Sequence, residues 1–233
     1  MAAASSVQRV MLLKPVMMAV LSACIPSAAF GSVIYSNLNP DQTKLFNDAS
    51  LFVATDSNPS NEKMAMPFRA GGSSAWLVTE IDVAIREDLG GSFSAVLSLA
   101  PDSGGVPGPA IGTWTLTHLP ANSHLVGVNC CALTSLDLSA SPVKITGGAV
   151  YWLIAQPVGR TVADVWYANT VGATGTTLKA DGNGTWRSTG TGTIGAFDVL
   201  GAAATAEAPE PSTAFMFISS LTLIGVWKTR RTT

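Results

Sequence analysis

An all-β fold, an antiparallel sandwich of jelly-roll-like type, is what residues 32–201 predict, and three observations carry that expectation. Apolar residues recur with a period of two in short segments, the pattern of a strand with one face buried. Turn chemistry separates these segments at short intervals, drawing on 22 glycines and 13 prolines in 233 residues. Helical periodicity is scarce. Several short strands divided by turn signals are the mark of a sandwich.

Taken in order, the stretch 77–85 alternates cleanly: Leu77, Thr79, Ile81, Val83 and Ile85 fall on one face, Glu80 and Asp82 on the other. The stretch 93–99 places Phe93, Ala95, Leu97 and Leu99 together. The break at 101–109 combines proline, which fixes φ, with Gly104 and Gly105, which accept positive φ. Residues 111–119 resume as a strand with Trp114 and Leu116 on one face. Further strands are expected at 135–138, 149–156, 164–168, 185–188 and 196–200. The segment 38–58 reads as a loop or a short helix. Asp181-Gly182-Asn183-Gly184 has oxygen ligands at alternating positions, as at the start of a calcium loop, but lacks that loop's terminal Glu. A tight hairpin turn accounts for it more economically. Residues 202–208 read as a flexible linker.

The two ends differ in kind from this body. Arg9 and Lys14 are the only charges in the first forty residues, and an apolar run at 15–21 and small residues at 22–32 follow them. This is the order of a secretory signal peptide, here 1–31, with cleavage after Gly31 or after Ala29. The run is too short to span about 30 Å of hydrocarbon, which takes roughly 20 residues. Leu21-Ser22-Ala23-Cys24 has the form of a lipoprotein box, and lipidation of Cys24 is the second reading of this segment. At the other end, Pro209-Glu210-Pro211 precedes an uncharged stretch at 214–227 and then Lys228, Arg230 and Arg231. The stretch reads as a short hydrophobic helix, marginal for a membrane span. Its basic flank would stay on the cytoplasmic side.

Pro209, Glu210 and Pro211, the apolar stretch and the Lys228, Arg230 and Arg231 cluster resemble the PEP-CTERM sorting signal, over 209–233. The resemblance implies export by a Gram-negative bacterium and handling by an exosortase, a membrane enzyme that processes the tail. A second resemblance rests on Phe68, the strands at 77–85 and 93–99, the turn at 104–108, and Gly147-Gly148-Ala149-Val150-Tyr151-Trp152-Leu153. With Val165-Trp166-Tyr167 and Gly184-Thr185-Trp186, these are similar to the choice-of-anchor family of extracellular domains, R type, over 60–201. That family implies the sandwich and carries no established catalytic residues.

Composition excludes some functions. Residues 32–208 hold eight Lys and Arg against fourteen Asp and Glu, a net charge of −6. So few cations do not suit nucleic acid, whose binding rests on neutralising phosphates. The adjacent Cys130 and Cys131 are open to a vicinal disulfide or to remaining free thiols. A metal ranks third, because only His118 and His124 could complete the site. Those two histidines read as solvated loop residues. Phosphate loops, dinucleotide fingerprints, zinc-protease helices and serine-hydrolase elbows are absent. Glu80 and Asp82, two residues apart on a strand, superficially suit paired glycosidase acids, but the wet face of an amphipathic strand looks the same. Among the tryptophans, Trp114 and Trp152 read as core. Trp166, Tyr167 and Trp186 are the candidates for exposure and for stacking on sugar rings.

The expected protein is therefore a noncatalytic component of the cell surface or extracellular matrix, delivered to the envelope and sorted by an exosortase. A carbohydrate-binding module for extracellular polysaccharide is the alternative, and a glycan-active enzyme ranks behind both. The partners expected are signal peptidase, exosortase and extracellular polysaccharide, with transient membrane insertion through 214–227. No cofactor, metal or catalytic residue is assigned.

Overall fold

The computed structural model describes residues 31–40, 46–52, 62–87, 94–120, 133–158, 164–181 and 184–204. These residues form fourteen strands and no helix. In chain order the strands are β1 (Ser32–Ser36), β2 (Phe46–Phe52), β3 (Lys63–Arg69), β4 (Ala75–Val83), β5 (Ile85–Glu87), β6 (Ser94–Pro101) and β7 (Gly112–Thr117). They continue as β8 (Thr134–Asp137), β9 (Val143–Thr146), β10 (Val150–Pro157), β11 (Asp164–Asn169), β12 (Thr174–Ala180), β13 (Trp186–Thr193) and β14 (Phe197–Ala203).

All the pairings are antiparallel, and they build three sheets. A five-stranded sheet runs β1-β14-β4-β8, with β9 beside β8 along the same edge of β4. A six-stranded sheet runs β13-β12-β3-β10-β6-β7, and a small one runs β2-β11-β5. The two larger sheets share one core. Val78, Ile81, Phe197 and Val199 of the first lie in the same buried cluster as Met66, Phe68, Leu97 and Leu153 of the second. The fold is thus all-β and sandwich-like, as the period-two segments predict.

At the centre of this core is a set of rings from four strands. Phe197 lies 5.0 Å from Tyr35, 5.8 Å from Phe68 and 5.8 Å from Trp166, centroid to centroid. Tilted and edge-on arrangements at these separations are favoured, adding about 0.5–1.5 kcal/mol per pair beyond area burial. β1, β3, β11 and β14 are pinned to one another through this contact.

β4 departs from the expected alternation. Ile81 and Val83 face inward as predicted. The stretch read as one strand over 77–85 breaks at Ala84, so that Ile85, also buried, belongs to β5 of the small sheet. Within β4, Val78 is fully buried while Leu77 is only half-buried. The cause is a β-bulge: Leu200 pairs with Glu80, and the next residue, Gly201, pairs with Val78. One extra residue on β4 flips the faces of everything before it. Leu77 and Thr79 therefore do not belong to the inward row.

The segment 38–58 also differs from its reading, because Phe46–Phe52 is a strand paired with β11. β14 runs to Ala203, two residues into the stretch read as a linker. β3 carries Pro67, which reads as a strand breaker. Its ladder with β10 runs from Met64 to Arg69, whereas its ladder with β12 stops at Ala65. Pro67 thus sits beyond the β12 pairing, where its missing N–H costs no ladder bond.

Candidate functional site

The outward face of the five-stranded sheet gathers four carboxylates. Glu80 and Asp82 project from β4, on the side opposite Ile81 and Val83, as the alternation predicts. Across β14, Asp82 is the direct partner of Asp198, and across β8, Glu80 is the direct partner of Asp137. Directly opposed side chains have Cβ atoms about 4.5–5.5 Å apart, so like charges there repel. The sheet itself offers one cation, Lys144 on β9, opposite Leu77.

Electrostatics follow from this placement. Burial, then the Asp82 charge, pushes the Asp198 carboxyl up from 3.8 to about 7. Burial also raises Glu80, with Asp82 and Asp137 adding to it. Asp137 goes the other way: it is fully exposed, and bonds from Ser139 hold it below the ordinary carboxylate range. The Ser139 backbone N–H donates to Asp137 Oδ1 at 2.8 Å. One oxygen of Asp82 and one of Asp198 are closed off from solvent and have no hydrogen-bond partner among the described residues. Among those residues no group of three or more His, Cys, Asp or Glu side chains is placed to hold a metal ion.

The aromatics distribute differently from the sequence expectation. Trp166 is 0% exposed and Tyr167 2% exposed, so neither is available to stack on a sugar. The reason is that every residue of β11 is buried. Trp166 points into the main core and its Nε1–H donates to the Ala196 carbonyl at 3.1 Å. Tyr167 points the other way, into a second cluster with Phe46, Ala84, Val165 and Ala196. Its ring stacks on Phe46 at 5.2 Å, and the Arg86 guanidinium lies 5.0 Å from its centroid.

Trp186 is half-buried. It packs against a third cluster on the outer face of the six-stranded sheet, made of Ala65, Ala100, Trp152, Ile154 and Leu178. Trp152, expected in the core, is buried in that outer cluster, and its Nε1–H donates to Asp102 Oδ1 at 2.8 Å. Trp114 packs against the main core as expected.

Of the remaining candidates, His118 is exposed, with its Nδ1 3.0 Å from the Thr117 hydroxyl. The turn after β12 closes with the Gly184 N–H donating to the Asp181 carbonyl at 2.8 Å, as a hairpin requires. Cys24, His124, Cys130, Cys131 and the sorting residues Pro209, Glu210, Pro211, Lys228, Arg230 and Arg231 lie outside the described residues, as does the apolar stretch 214–227. No helix of the described residues is long and apolar enough to cross a membrane. No known family model matches the chain, and no curated protein is similar enough to match it.

Proposed function

We propose that this chain is a noncatalytic, exported component of the cell surface or extracellular matrix of a Gram-negative bacterium, sorted by an exosortase through residues 209–233. Its body is a jelly-roll-like sandwich in this reading. The observation that carries it is where the described strands begin and end. The first starts at Ser32, directly after the expected signal-peptide cleavage point, and the last ends at Ala203, ahead of Pro209-Glu210-Pro211. Ser32 is also the register partner of Gly201, so the two ends of the body leave the same sheet side by side.

The test is to follow the chain in a host that carries the exosortase and in one from which it has been deleted. The reading expects surface or medium localisation in the first, and an uncleaved, membrane-associated chain in the second. Identical distributions would remove the exosortase from the account.

A carbohydrate-binding role is the second reading, and Trp186 favours it. Its half-exposed ring lies on the outer face of the six-stranded sheet. β7, at the far edge of that sheet, bears exposed hydroxyls at Thr113, Thr115 and Thr117. Titrating extracellular polysaccharide into the protein should shift its tryptophan emission, and Trp186→Ala should abolish the shift. An unchanged shift in that variant would remove this face from consideration.

A further inference from the structure

We propose that the carboxyl groups of Asp82 and Asp198 share a single proton, and that this proton braces β4 against β14. The inference rests on register and on the two closed-off oxygens. Asp82 and Asp198 stand directly opposite one another on one sheet face. Each presents an Oδ1 that is shut off from solvent and receives no hydrogen bond from the described residues. An ionised carboxylate only accepts hydrogen bonds, so two of them meeting in this way satisfy neither. A carboxyl O–H donating to the facing carboxylate oxygen supplies what is missing with a single proton. It also removes one of two opposed charges.

No neutralising charge stands opposite the pair in the sheet, and the other donors beside it are the Asp82 backbone N–H, directed at Asp198, and two serine hydroxyls. Along β4 the next outward group is Glu80, and β8 adds Asp137; both are acidic. β8 brings Ser135 opposite Asp82, and β1 brings Ser36 opposite Asp198. Lys144 of β9 is exposed and lies opposite Leu77, on the far side of the bulge. Arg86 of β5 is placed over the Tyr167 ring.

The sign of the resulting pH dependence is fixed. In the unfolded chain Asp198 titrates near its ordinary 3.8, while in the folded protein it keeps its proton to about 7. The folded state therefore binds more protons between those values, and stability falls as pH rises through that window. The contribution is fully present below 3.8 and lost above about 7.

The experiment is a side-chain carboxyl titration by nuclear magnetic resonance on the full-length chain in detergent micelles, with a thermal melt at each pH. Asp198 should titrate near 7 rather than near 3.8. Asp82→Asn, whose amide can donate to Asp198 without a charge, should lower that midpoint by about one pH unit or more. The same variant should flatten the fall in melting temperature toward neutral pH. An Asp198 midpoint near 3.8 in the unmodified protein would overturn the proposal, and this arm does not depend on the variant folding. So would a midpoint unmoved by Asp82→Asn.

Discussion

Asn37 shows how much of this fold hangs on single polar side chains. It is 1% exposed, donates from Nδ2 to the Gly195 carbonyl at 2.8 Å and accepts at Oδ1 from the Phe197 N–H at 2.7 Å. It thereby ties the end of β1 to the start of β14. Asn169 does the same for the turn after β11, donating to the carbonyls of Ala173 and Ile194 and accepting from the Ala173 N–H. Asn37→Ala would leave a buried N–H and a buried carbonyl without these partners, at a cost of about 1–3 kcal/mol each way the group is stranded. The urea midpoint should fall with an unchanged slope; a midpoint equal to that of the parent would mean that water replaces the side chain. None of this was legible in the sequence, because no local pattern reports that a polar side chain will be buried between strands far apart in the chain. Trp166 and Tyr167 were legible as strand residues but not as buried ones. Alternation says which residues share a face, and a strand covered on both faces carries no sign of which cover will be found.

At the scale of the element, the bulge in β4 is the feature with the clearest consequence. A Cβ added to Gly201 would lie 2.1 Å from the Leu77 carbonyl oxygen, so β14 can pass the bulge only without a side chain there. Gly201→Ala forces the two strands apart or displaces the bulge, and overpacking of this kind costs about 1–3 kcal/mol or more. Amide exchange in 77–81 and 199–203 should quicken in that variant relative to the six-stranded sheet. Uniform quickening throughout would show that the bulge is not a separate local unit. Strands with plain alternation, such as β6 with Ala95, Leu97 and Leu99 all fully buried, could be read from the sequence. β3 could not, since Met64, Met66 and Phe68 bury their side chains around a proline that signals a break. β1 could not either: it is short, it begins where the expected signal segment ends, and its partner is the last of the described strands.

For the whole molecule, the same pairing of β1 with β14 closes the five-stranded sheet only when both ends of the body are present. Glu80 and Asp82 were readable as an outward acidic pair, but Asp137 and Asp198 join them through sheet register, which no local pattern reports. Their sum gives the molecule its expected pH response. Asp198 and Glu80 are both raised, chiefly by burial, so each favours the folded state at lower pH, while the exposed Asp137 opposes them. A melting temperature that is higher at pH 5 than at pH 8 is the expected outcome, and a flat profile would mean that these charges are screened. The placement of the strands between Ser32 and Ala203 carries the functional account, and it is tested most directly by the intact mass and terminal peptides of the native protein recovered from envelope and medium. The account predicts a chain that begins near Ser32 and ends between Pro209 and Ser212. A chain that still ends at Thr233 would contradict sorting by tail removal and leave a simple membrane anchor in its place.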